Sequence, residues 1–144
     1  MKILLALALL FLPSITQTTD DFRQKYKPHR SGGYIVRPGI VMRVKATAGG
    51  DVCGAEIKPM ASTVMPTEIT QEVVAEIIPE TRRGKITISA HENGGCTGID
   101  LSGYEKVTIV LVTRCKEGGG GIYSARIQWI RDECPDNKPL KWND

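Results

Sequence analysis

The sequence predicts an α+β domain, a mostly antiparallel sheet of about five short strands with one amphipathic helix packed on it, stapled by disulfides. Three observations lead there. Stretches of residues alternate apolar and polar with period two and are separated by glycine turns. One stretch repeats apolar residues at four-residue spacing between Thr67 and Pro79. Four cysteines, Cys53, Cys96, Cys115 and Cys134, stand far apart in a chain of 144 residues. That layout suits disulfide bridges, because zinc ribbons and redox motifs need cysteines two to four residues apart.

Met1-Lys2, the ten-residue apolar run Ile3–Leu12, Pro13 and the small polar residues after it have the charged, apolar and cleavage regions of a secretory signal peptide. Ser14/Thr16 and Thr16/Thr18 each provide a small-x-small pair, so cleavage is expected after Thr16 or Thr18, with residues 1–18 as the leader. The alternative is a buried N-terminal helix. The run is too short for a membrane span, which needs about 20 residues, so the processed chain carries no span. The expected location is the periplasm or the medium.

Residues 19–33 are polar, with Lys25, Lys27 and Arg30 around Tyr26, Pro28 and His29, and predict a flexible basic arm. A single α+β domain follows over residues 34–134. Tyr34–Arg37 is a short extended piece ended by Pro38-Gly39. Ile40, Met42, Val44 and Ala46 fall on one face of a strand, and Gly49-Gly50-Asp51 turns it into a partner carrying Cys53, Ala55 and Ile57. Thr67 is a fair N-cap for a three-turn helix whose Ile69, Val73, Val74, Ile77 and Ile78 face the sheet, closed at Pro79. Arg82-Arg83-Gly84-Lys85 reads as a solvated helix-to-strand turn, with contact to phosphate or acidic glycans as the alternative. A short strand Ile86–Ala90 and a turn at Asn93-Gly94-Gly95 come next. Val107–Cys115, apolar on both faces, predicts a central strand covered on both sides. Gly118–Gly121 makes the return to a last strand, Ile122–Arg131, and residues 135–144 form a polar tail.

This layout constrains the bridges. Cys115 lies at the turn end of the last hairpin and Cys134 at the open end, about 27–30 Å away along a strand of eight or nine residues. Cys96 enters from the open end, so Cys96–Cys134 and Cys53–Cys115 are the expected pairs.

Several segments together resemble a family of small exported bacterial proteins of the acidobacterial type with four cysteines. They are Val36-Arg37-Pro38-Gly39-Ile40, Cys53 with Ile57 and Pro59, and Ile77-Ile78-Pro79 with Arg83-Gly84-Lys85. Gly95-Cys96, Tyr104-Glu105-Lys106-Val107-Thr108-Ile109, Cys115, Ala125-Arg126-Ile127 and Cys134 complete the set. The resemblance spans residues 34–134 and implies export and a shared fold. It carries no activity, so no functional residue transfers.

Chemistry is sparse. A net charge of +3 from 19 basic and 16 acidic residues is too weak and too mixed for a dedicated nucleic-acid binder. His91-Glu92 can cooperate only if the chain bends there, since neighbours on a strand point to opposite faces. Ser89 and Ser102 lack a nucleophile elbow, and no spacing resembles a calcium loop or a P-loop. No catalytic residue, metal site or cofactor site is expected. The expected role is a non-catalytic exported module that binds an extracytoplasmic protein or envelope polymer. Tyr26, Tyr34, Tyr123, Trp129 and Trp142 are the candidate contact residues. The alternatives are a hydrolase inhibitor presenting the Lys116–Gly121 loop, and a thiol-redox enzyme, which would need a free cysteine of lowered pKa.

Overall fold

Eight strands form one sheet, in the order β1-β2-β3-β4-β8-β7-β6-β5, with every neighbouring pair antiparallel. The structure is a computed structural model that describes residues 17–60, 69, 71–116, 119–130 and 134. The strands are β1 (Lys27–Pro28), β2 (Tyr34–Arg37), β3 (Ile40–Ala46), β4 (Val52–Pro59), β5 (Ile86–Asn93), β6 (Thr97–Tyr104), β7 (Val107–Lys116) and β8 (Gly119–Trp129). Two helices, α1 (Thr19–Lys25) and α2 (Gln71–Ile77), and a 3-10 turn at Glu80–Arg82 complete the described elements. The expected five-stranded α+β domain is therefore corrected to an eight-stranded, predominantly β architecture with two short helices.

The topology is two meanders laid side by side. β1 to β4 follow one another across one half, and β5 to β8 run back across the other, so that β8 pairs with β4 in the middle. Hairpin connections explain each meander, because antiparallel neighbours can be joined by tight turns. Gly50 and Gly95 sit at positive φ in two of those turns. The segment holding α2 carries the chain from β4 to the far edge.

Residues partnered across a ladder share a face, and the register sorts the sheet into unequal surfaces. Tyr34, Met42, Ile57, Ala125, Ile127, Ile109 and Trp129 lie on the face that carries the core, and all are buried. α2 adds Val73, Val74 and Ile77, with Ile78 just beyond it, to the same cluster. Each such side chain contributes roughly 1.5–3 kcal/mol on burial. α2 has seven residues, so the expected three-turn helix is shorter in fact. Its expected cap, Thr67, lies outside the described residues.

α1 replaces much of the expected basic arm. Thr18 caps it: its Oγ1 accepts from the Asp21 amide at 3.2 Å, and the Asp21 carboxylate accepts from the Thr18 amide at 2.7 Å. Asp20 and Asp21 at the start and Arg23 and Lys25 at the end suit the helix dipole. Phe22, only 2% exposed, enters the core beside Tyr26 and Tyr34. One aromatic in a seven-residue helix leaves no periodicity to detect, so its sequence looks like that of an arm.

The disulfides also differ from expectation. Cys53 joins Cys134 (Cα–Cα 5.7 Å) and Cys96 joins Cys115 (Cα–Cα 4.9 Å). The expected Cys96–Cys134 and Cys53–Cys115 pairs assumed that Cys96 enters at the open end of the last hairpin. Instead β6 intervenes between Cys96 and β7, and its length returns Cys96 to the turn end. There the Cys115 amide donates to the Cys96 carbonyl at 2.9 Å.

Candidate functional site

β5 and β6 extend the sheet past its core. Every residue of β5 is exposed, on both faces, whereas β3, β4, β7 and β8 all carry buried residues. β5 is also the last strand in the order, so its outer edge has no neighbour among the described residues. Eight residues without proline or lysine form that edge, whereas exposed edges are ordinarily blunted by such residues.

The ladder defines what this extension displays. On the side away from the core, Ala90, Leu101 and Val110 form one cross-strand row, and Ile99 with Val112 another, with Ile88 next to Gly103. Ile88 is 56% and Ile99 39% exposed. The same back face is charged toward the sheet centre, where Arg43, Glu56 and Arg126 line up across β3, β4 and β8. The Arg126 guanidinium stands 3.7 Å from the Glu56 carboxylate. The back face thus divides into a charged half and an aliphatic half. Near the turn end of the aliphatic half, the Arg114 guanidinium lies 3.8 Å from the Tyr123 ring centroid, a cation–π contact. β7 is interior, as its apolar run indicated, but the face holding Val110 and Val112 is only half-buried. Among the described residues, the expected full cover on both sides is not found there.

Close approach maintains the extension. A bulge separates Ile86 from Ile88, and Gly103 sits opposite it. A Cβ at Gly103 would fall 2.4 Å from Ile88 Cγ2 and 3.3 Å from Thr87 Oγ1. A β-carbon there would force either the exposed Ile88 side chain or the strand itself to shift.

The other side of β5 and β6 is polar. Ser89 faces Ser102, and His91 faces Asp100, with His91 Nδ1 and Asp100 Oδ1 at 2.5 Å. His91 therefore pairs across strands with Asp100 and not with its sequence neighbour Glu92, a partner that nothing in the spacing announces. Both groups are largely exposed, so the pair contributes little to stability. Neither serine hydroxyl is bonded to the imidazole, so no nucleophile is activated there. His29, the other histidine, is bonded to Ser31 in the turn before β2.

A second polar cluster fastens α1 to α2. Glu76 accepts from the Arg37 guanidinium and from the Tyr26 hydroxyl (3.2 Å), and Lys25 Nζ donates to the Glu76 carbonyl at 3.1 Å. The Arg37 hydrogen bond holds the Glu76 carboxyl below the usual carboxylate range. Burial, aided by the Glu76 charge, pushes the Tyr26 hydroxyl well above its ordinary value. A cavity of about 30 Å³ lies beside them, lined by Gln17, Asp21, Phe22, Lys25, Tyr26 and Ile77. Ligand sites occupy roughly ten times that volume or more, so the cluster is structural.

The remaining sequence candidates separate. Tyr26, Tyr34 and Trp129 belong to the core and are withdrawn as contact residues; Tyr123 is exposed, and Trp142 lies outside the described residues. Arg83 is 5% exposed and corrects the solvated reading of its turn. Its Nε donates to the Ile78 carbonyl at 3.0 Å, and its guanidinium lies 5.6 Å from the Tyr104 ring centroid. Gly119–Gly121 of the expected inhibitory loop pair with Arg114–Lys116 as strand. All four cysteines are consumed in the two disulfides. Among the described residues, no group of three or more His, Cys, Asp or Glu is arranged to hold a metal ion, and no helix is long and apolar enough to cross a membrane.

No family model, curated protein or solved structure matches the chain. The functional reading therefore rests on the geometry above.

Proposed function

We propose that the chain is an exported, disulfide-stapled binding module that takes an extended segment of another extracytoplasmic protein along β5. The observation that carries this reading is the exposed extension itself: an edge strand whose exposed outer side has no partner among the described residues, next to a half-exposed aliphatic face. An edge of unpaired backbone donors and acceptors is complementary to one chemistry, another extended backbone, and the side chains beside it supply selectivity. Ile88, Ala90, Leu101 and Ile99 would bury the apolar residues of such a segment. Lys85 before the strand and Glu92 near its end bias its direction by charge. Export is supported by the leader-like N-terminus and by two disulfides, which persist in oxidising compartments.

The test is chemical cross-linking of the protein in its own compartment, comparing the native chain with Ile88→Lys/Ala90→Lys. These substitutions place lysine on an already exposed edge. The expected result is a discrete heterologous adduct that the double variant loses while its melting temperature is kept. An adduct that survives the substitutions would overturn the reading, and an adduct made only of two copies of this chain would replace it with self-association.

A further inference from the structure

Two leader cleavage points satisfy the small-x-small rule, after Thr16 and after Thr18. The folded domain distinguishes them. The Gln17 carbonyl accepts from the Val52 amide at 2.8 Å, and Gln17 Nε2 donates to the Ile77 carbonyl at 2.9 Å. Its side chain is thus anchored to the last residue of α2, and it closes one wall of the cavity between the helices. Thr18 bridges Asp51 in an antiparallel step and caps α1 through both halves of its capping box. Removing residues through Thr18 would strip the cap and the Val52 acceptor. It would also strip the donor to Ile77 and open the wall over Phe22.

We propose that the leader is removed after Thr16, so that Gln17 is the first residue of the mature protein and serves as a hook joining the start of α1 to α2 and to the start of β4. The proposal rests on the export reading above, and its experiment separates the two. The native protein is isolated from its compartment and its intact mass and N-terminal sequence are determined. The expected species is Gln17–Asp144 with two disulfides; a species lighter by one ammonia has the same start but has expelled Nε2, the donor to Ile77, on cyclisation of the glutamine, and would overturn the hook while leaving cleavage after Thr16 standing. A start at Thr19 would overturn the proposal and leave export standing. A chain that retains Met1 would overturn both. A second arm tests the hook itself, comparing recombinant Gln17–Asp144, its Gln17→Ala variant and Thr19–Asp144 by thermal unfolding. Thr19–Asp144 is expected to melt several degrees lower, with Gln17→Ala between the two. Equal melting of the longer and shorter chains would remove the structural reason for choosing Thr16.

Discussion

Removing the two disulfides separately should reveal how differently they constrain the chain. Cys53–Cys134 spans 81 residues and Cys96–Cys115 spans 19. In the chain-entropy account, the longer loop contributes about 4.5 kcal/mol at 25 °C and the shorter about 3.3 kcal/mol. Cys53 is fully buried, so its truncation adds a cavity cost of the same sign. Cys115 is exposed and adds little. Cys53→Ala/Cys134→Ala should therefore be the less stable double variant, by about 1–2 kcal/mol, or roughly 4–8 °C in melting temperature. The assay is reversible thermal or guanidinium unfolding, supported by amide exchange. The two exchange patterns should also differ. Losing Cys96–Cys115 should deprotect the start of β6 and the end of the β5–β6 turn, whereas losing Cys53–Cys134 should loosen β4. Equal stabilities, or a larger loss from Cys96–Cys115, would refute the loop-length argument. A bridge between Cys53 and Cys115 in a disulfide map would refute the connectivity.

Three further outcomes follow from named contacts. Arg83→Ala should cost about 2–3 kcal/mol in chemical unfolding, because it removes a charged donor from the Ile78 carbonyl and leaves that acceptor buried; a change within 0.5 kcal/mol would contradict the role given to it. Gly103→Ala should cost about 1–3 kcal/mol and displace β5, seen as faster amide exchange confined to Ile86–Asn93, whereas unchanged exchange would mean that the bulge adapts. Glu76 has its carboxyl lowered by Arg37 from an ordinary 4.5. Its contribution is therefore present above about pH 5 and fades as pH falls through the lowered value. Glu76→Gln should flatten the acid limb of the stability profile, and an unchanged limb would show that the ion pair carries no such linkage.

The legible parts of the fold were those with strong local pattern. Ile40–Ala46 emerges as β3 with the expected bounds, and Val107–Cys115 and the Val52 segment become β7 and β4 with small changes. β6 is weakly marked because its apolar and polar residues alternate only over Ile99–Ser102, between Gly98 and Gly103, and its apolar members lie on the face away from the core. Those same residues hold the information on the candidate site: the two glycines exist where a Cβ would strike Thr113 or Ile88. Missing β6 also misplaced Cys96 and inverted the disulfide choice. His91 was singled out, but its partner Asp100 lies nine residues away on the strand that was not recognised. Arg83 gave no local sign of burial, because its turn is polar on all sides in sequence and its partners, Ile78 and Tyr104, come from separate elements.

The central claim is that β5 is the recognition edge, and site-specific photo-cross-linking tests it most directly. A photoreactive residue is placed at Ser89 on β5, or at Asp20 on α1 as an exposed reference, in the exported protein. The account predicts one discrete heterologous adduct from position 89 and none from position 20. Adducts from position 20 alone, or none from either, would contradict it.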